Sequence, residues 1–249
     1  MRARPEATDP AAVERTRQTR WGGAALALGL ILFVMGVILG LRAYSGNWDT
    51  TVGATLPNTA ALIEERWTSF RAIWFAELLG ALLIASAAFL LQRRPQARPR
   101  WMPASVVWVV VGIGSVIVAV GYALMLGSYP PALAAFAEEP AVFAALRGGA
   151  LFMHSIGSIL QLLGLLAALA IEFRWKGREV PDRLVHGGAG VTLLGILAAV
   201  GGLIPGEFIA AAIFLGGALL GLAIWMRAGR LRTVVGVAGS VPPDAAEVR

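Results

Sequence analysis

The chain has 249 residues, of which 57% are hydrophobic and 14% charged, against the ~25% of charged side chains in a soluble domain. Its net charge of +6 is shared among the margins of apolar runs, with no aromatic-interleaved basic surface, so no nucleic-acid partner is expected. It contains no cysteine, which excludes disulfides, thiolate metal sites, iron–sulfur ligation and thiol nucleophiles.

Residues 1–20 read as a cytoplasmic tail. The first apolar run, 21–41, is too long for the core of a cleavable signal, and no small-x-small site follows it. It is expected to remain as the first membrane helix. An outer segment, 43–71, follows, in which Pro57-Asn58-Thr59 can start a helix at about residue 59 that runs on into span 2, residues 72–92. Span 3 covers 103–126. The second outer segment, 127–149, contains Tyr129-Pro130-Pro131 and Pro140, which predict two short helical turns beginning near Pro131 and Pro140. Together these segments predict a small helical cap on the periplasmic face. Span 4 covers 150–173 and span 5 covers 187–204. The minimal turn Ile204-Pro205-Gly206-Glu207 makes span 5 and span 6, residues 208–226, an antiparallel hairpin. The six-helix domain extends over 21–232, and 233–249 reads as a disordered cytoplasmic tail.

Each run is about the 20 residues needed to cross ~30 Å of hydrocarbon. Trp21, Trp74, Trp101, Trp175 and Trp225 stand at run ends, where interfacial aromatics belong. Strand patterning is absent, and a membrane-spanning chain must satisfy its backbone internally, so the fold class is an all-α polytopic helical bundle. Of the 21 basic residues, only Arg42, Arg66, Arg71 and Arg147 fall in the outer segments. The others fall in the inner ones, and this alternation predicts that both termini are cytoplasmic. Arginine dominates, with Lys176 the sole lysine, a bias that fits a GC-rich bacterium and places the chain in a bacterial inner membrane. Glycines recur at helix-contact spacing, as Gly36 and Gly40 in span 1 and Gly217 and Gly221 in span 6. The Gly/Ala-rich spans 5 and 6 serve either internal helix contacts or a homo-oligomer or partner-subunit face. Membrane lipid is the other expected partner.

Three polar residues within the spans are candidates for chemistry. Glu77 lies sixteen residues before Arg93, about 24 Å above the inner boundary. A carboxylate at that depth costs several kcal/mol unless it is protonated, paired or hydrated. It is either a functional acid or a neutral structural hydrogen bond. His154 lies about 30 Å above Arg174 by the same rise, and Gln161 shares its helix face seven residues on. If spans 2 and 4 are neighbours, Glu77, His154 and Gln161 form one outer-leaflet polar patch with Ser155 and Ser158, rimmed by Arg71, Arg147 and Glu207. The alternative for His154 is an interfacial ring at headgroup level.

The adjacent Glu64 and Glu65 resemble the glutamate pair of intramembrane CAAX-type proteases, but the rest of that pattern fails. Ser69 stands where the family has arginine, Phe152 precedes His154 at the wrong spacing, and Ser158 replaces the required Asn or Asp. The stretch reads instead as a solvated helix turn. His154 and His186 are predicted at opposite membrane faces, which removes a bis-histidine haem. Lys176 lies in a loop, which removes a retinal Schiff base. Walker A, His-Glu-x-x-His and Asp-rich metal motifs are absent. Gly112-Ile113-Gly114-Ser115 lacks the following glycine of a rhomboid serine motif. No cofactor or metal is expected.

Two stretches, Asn58 to Leu91 and Gly164 to Ile204, carry a wider resemblance. The first has a charged helix, Ser69-Phe70-Arg71 and a Leu/Ala span with an internal acid. The second has a Leu-rich helix ending in Phe173-Arg174-Trp175-Lys176-Gly177-Arg178-Glu179-Val180-Pro181-Asp182-Arg183-Leu184 before a Gly-rich span. Over about half the chain this resembles a bacterial family of six-to-seven-helix membrane proteins known as a domain of unknown function. Asp182 is inserted where that family joins Pro to Arg. The resemblance implies topology and no activity. The functional expectation is a non-enzymatic membrane protein that binds a lipid, small ligand or partner subunit through the outer-leaflet patch. The alternative is a small proton-coupled transporter using Glu77. A third reading, an intramembrane enzyme, requires Glu77, Glu64 or Glu65 within hydrogen-bond reach of His154.

Overall fold

The computed structural model describes residues 10–44, 55–92, 104–174, 182–203 and 208–238. They form seven helices: α1 (Pro10–Tyr44), α2 (Leu56–Glu65), α3 (Trp67–Leu91), α4 (Ala104–Ala134), α5 (Pro140–Arg174), α6 (Asp182–Val200) and α7 (Phe208–Ala238). All except α2 are long and apolar enough to cross a membrane. They correspond in order to the six expected spans, and no strand occurs among the described residues. The protein is a helical membrane bundle.

Several boundaries differ from expectation, mostly because helices run on beyond the apolar stretches of sequence. α4 does not stop at residue 126 but continues through Pro130 and Pro131 to Ala134. Proline fixes a helix-compatible φ, at the cost of the N–H that would bond four residues back and of crowding that carbonyl. The chain then turns over residues 135–138, with Glu139 N–H bonding Ala135 O at 2.8 Å. α5 starts at Pro140 and runs unbroken into span 4. The two separate turns expected near Pro131 and Pro140 are thus the ends of two long helices. α2 starts at Leu56, earlier than expected, behind an extended Thr55 (φ −62°, ψ 151°) and with proline in its first turn. It does not run unbroken into span 2, because Arg66 (φ −110°, ψ 26°) leaves helical geometry before α3 begins. α1 starts at Pro10 within the expected tail, and α7 reaches Ala238, covering 233–238 of the segment expected to be disordered. The Ile204–Glu207 turn lies outside the described residues. α6 ends on Gly201-Gly202, where Gly202 takes φ +71°, a left-handed value that glycine adopts without steric cost. Leu203 N–H closes this end on Ala198 O at 2.8 Å.

α1 packs between α3 and α7, α3 packs on α4, α4 on α5, and α5 touches α7. Five spans therefore close a ring, and α6 lies outside it against α7 and α5. Only 17% of the α6 window is buried, against 50% for α7, which fits that peripheral place. Lipid supplies no hydrophobic drive between helices, so close backbone approach has to do so. The contacts run through small residues: Gly29 with Gly80, Gly23 with Gly221, Gly114 with Gly157, and Gly188 with Gly216. Residue numbers fall on one helix as they rise on the other along α6 and α7, where Gly188 meets Gly216 and Thr192 Oγ1 meets Ala212 O at 3.5 Å. The hairpin is antiparallel, as expected. Side chains such as Phe75, Leu79, Leu82 and Phe89 of α3 are exposed and apolar, the surface a helix presents to lipid.

The starts of α3 and α5 and the end of α4 meet at one end of the bundle. An aromatic series ties them together: Trp67–Trp74 at 6.0 Å, Trp74–Tyr129 at 5.4 Å, Tyr129–Phe143 at 5.3 Å and Phe143–Phe136 at 5.7 Å. α2 buries Ala60 and Ile63 against this end, so a helical cap is present, smaller than expected. At the opposite end the Arg20 guanidinium lies 5.5 Å from the Trp225 ring centroid, joining the starts of α1 to the late turns of α7.

Candidate polar site inside the bundle

Along α3 the buried positions are Phe70, Ile73, Trp74, Glu77, Gly80, Ala81 and Ile84, a stripe at three- and four-residue spacing. Glu77 belongs to that stripe, so its carboxyl points inward; the residue is 8% exposed. It lies ten residues into α3, about 15 Å below the capped end. Across from it α1 offers Gly36, where a methyl group would lie 2.5 Å from the Glu77 carboxylate oxygen. The missing side chain at Gly36 is the slot that the acid fills. From α4 the Tyr122 hydroxyl donates a hydrogen bond to the Glu77 carboxylate. Among the described residues no ion pair reaches this carboxylate, so the phenol is what offsets its loss of water.

The Tyr122 ring, 4% exposed, stands edge-on to His154 of α5 with centroids 5.4 Å apart. It also lies 6.3 Å from Phe33 of α1, which in turn lies 5.2 Å from Phe214 of α7. All five ring-forming spans thus contribute to one interior level. His154 Nδ1 is buried without a hydrogen-bond partner. Carboxyl, phenol and imidazole form a series on three adjacent helices, with Tyr122 between the acid and the base.

The expected patch is only partly assembled. Span 3 packs along both span 2 and span 4 and lies between them, so Glu77 and His154 each contact Tyr122, the one by a hydrogen bond and the other by its ring edge. Gln161 joins neither. It is fully buried and turns to α4, where its Nε2 donates to Ser115 Oγ at 2.9 Å. Ser115 in turn donates to Val111 O at 2.7 Å. Ser158 is half-buried and Ser155 exposed. Arg71 is exposed and Arg147 half-buried, each in an early turn of its helix at the capped end. Glu207 lies outside the described residues. Glu64 and Glu65 are exposed at the end of α2. Among the described residues no group of three His, Asp or Glu side chains is placed to hold a metal.

Sequence reasoning missed Tyr122, and it took Gly36 only as a helix-contact glycine and Ser115 only as part of a stretch that fails the rhomboid motif. A signal for Tyr122 and for the role of Ser115 existed. Tyr122 follows Ser115 by seven residues and Gln161 follows His154 by seven, so two antiparallel helices present polar pairs at matching two-turn intervals. Gly36 carried no such signal, since its role depends on which helix faces Glu77. No family model, no curated protein and no solved structure matches the chain.

Proposed function

We propose that the protein exchanges a proton at Glu77 and couples it to the movement of a small solute across the membrane. The observation that carries this reading is the Glu77–Tyr122–His154 series on the interior level of the ring, with Glu77 and Tyr122 buried and His154 half-buried. Intramembrane acids and histidines in series mark proton relays and substrate paths. Glu77 fills the slot at Gly36 so closely that a headgroup-sized guest has no place beside its carboxylate, whereas a proton needs none. The arginine distribution supports a bacterial inner membrane with both termini cytoplasmic and the capped end periplasmic. The likeness to the domain-of-unknown-function family adds a topology consistent with this.

Binding of a lipid or small polar ligand without transport is the second reading, favoured by the open Nδ1 of His154. The peripheral α6, with Leu193, Leu194 and Leu197 exposed, is where lipid, a second copy or a partner subunit would then sit. An intramembrane enzyme finds less support, because Tyr122 stands between the acid and the histidine.

The test is infrared titration in lipid nanodiscs of wild type against Glu77→Gln. A carboxyl band that follows bulk pH and vanishes in the variant is the expected result. A band that ignores bulk pH would make Glu77 a structural hydrogen-bonding group and end the proton-exchange reading.

A further inference from the structure

The places where helix backbones touch divide the six spans into two groups. A methyl on Gly29 would lie 2.8 Å from Gly80 O, which joins α1 to α3. One on Gly23 would lie 2.7 Å from Gly221 O, joining α1 to α7, and one on Gly188 would lie 2.7 Å from Gly216 O, joining α6 to α7. The other group is α4 with α5, which meet at three heights. A methyl on Gly121 would lie 3.3 Å from Ala150 O, one on Gly114 2.7 Å from Gly157 O, and one on Gly164 3.3 Å from Val111 N. The Gln161–Ser115 hydrogen bond, 2.9 Å long and fully buried, lies inside this second group and pins it further.

Between the groups the contacts are of another kind. Where a described glycine of one group faces the other, the atoms it meets first belong to side chains: Ala88 Cβ at 3.3 Å from a methyl on Gly112, and Leu165 Cδ2 at 3.2 Å from one on Gly217. The remaining contacts across the boundary include the rings Trp74 on Tyr129 and Phe33 on Tyr122, and the Tyr122 hydroxyl on Glu77. The difference has a mechanical meaning. Touching backbones hold no side chain that can change rotamer, so they lock. Interdigitated side chains can re-pack as one helix slides past another, the shear motion of packed helices.

We propose that the α4–α5 hairpin moves as one rigid body against a second body made of α1, α3, α6 and α7. The boundary runs through the polar series. Glu77 and its slot at Gly36 belong to the four-helix body, whereas Tyr122 and His154 belong to the hairpin. Movement therefore breaks the Glu77–Tyr122 hydrogen bond and keeps the Tyr122–His154 edge contact. Rocking of one helical bundle against another is how a fixed intramembrane site opens to the two sides in turn. The motion follows from the helix contacts alone, so it stands whether or not Glu77 exchanges protons.

Pulsed electron-spin distance measurement on the full chain in lipid nanodiscs tests this. The chain has no cysteine, so paired substitutions such as Val106→Cys with Ala170→Cys carry the only labels. Val106 of α4, Ala170 of α5, Leu82 of α3 and Leu222 of α7 are all exposed. Val106 with Ala170 reports within the hairpin, and Leu82 with Leu222 within the four-helix body. Val106 with Leu222, and Leu82 with Ala170, report across the boundary. The expected result is one narrow distance for each pair within a body and a broader or split distribution for both pairs across it. Tyr122→Phe, which removes the hydrogen bond at the boundary, should shift the cross-boundary distances and leave the other two in place. Cross-boundary distributions as narrow as the internal ones, in wild type and in Tyr122→Phe alike, would make the six spans one rigid unit and overturn the proposal. Equal broadening of the Val106–Ala170 pair would overturn it as well, because the hairpin would then not be rigid.

Discussion

Replacing Gly36 by alanine tests the geometry at Glu77 most directly. The new methyl would lie 2.5 Å from Glu77 Cγ and Oε1 and 2.8 Å from Cδ, so the acid has to leave its slot or α1 and α3 have to separate. Overpacking of this kind costs about 1.5 kcal/mol, within the usual range. Pulling the carboxylate from the Tyr122 hydroxyl costs about another 1.5 kcal/mol. Alanine recovers about 1 kcal/mol of helix propensity, leaving Gly36→Ala destabilised by about 2 kcal/mol as the balance of these terms. In a Glu77→Ala background the methyl enters vacated space and only the propensity gain of about 1 kcal/mol remains. The predicted coupling between the two positions is therefore about 3 kcal/mol. Gly40, one turn along, is the control, since a methyl there meets nothing within 4 Å and Gly40→Ala should not destabilise. Reversible unfolding of the four members of the cycle in mixed micelles reads the coupling. Additivity within about 0.5 kcal/mol would refute the claim that Gly36 exists to house the acid.

Three further outcomes follow from the same contacts. Tyr122→Phe keeps the ring against His154 and Phe33 but leaves the Glu77 carboxylate without its donor; a loss of about 1–3 kcal/mol is expected, and most of it should vanish when Glu77 is also Ala, as unfolding in micelles would show. Ser115→Ala strands the Gln161 amino group and should cost about 1–3 kcal/mol, whereas combining it with Gln161→Leu should return stability close to wild type. Gly221→Val places bulk 2.7 Å from Ala27 N and 2.8 Å from Gly23 O; backbone cannot yield as a side chain can, so α1 and α7 must part. A lower unfolding midpoint by more than the Gly36→Ala shift, together with loss of the Arg20–Trp225 contact in Trp fluorescence, is the expected reading.

What could be read from the chain was set by the solvent it lives in. A bilayer demands about 20 apolar residues per crossing, and that demand is one-dimensional, so hydropathy located six spans before any contact was known. Helix ends were less legible. Pro130 and Pro131 look like breaks, yet α4 runs through both to Ala134, while Pro140 is where α5 begins, a position at which the missing N–H has no helical partner to lose. Helical rise alone predicted that Glu77 and His154 stand at similar heights, and in the bundle both reach the Tyr122 level.

Facing was decided by the tertiary structure. In a soluble helix the polar face marks the outside, but here Leu82 towards lipid and Ile84 in the interior are equally apolar, so one sequence cannot say which faces which. The order of helices in the ring is hidden for the same reason. That order put span 3 between spans 2 and 4, made Tyr122 the link from Glu77 to His154, and sent Gln161 to Ser115 instead. The sequence by itself determined how many apolar spans the chain has and where along them its polar groups stand. Only the contacts between helices, made through glycines at particular heights, decided which of those groups meet.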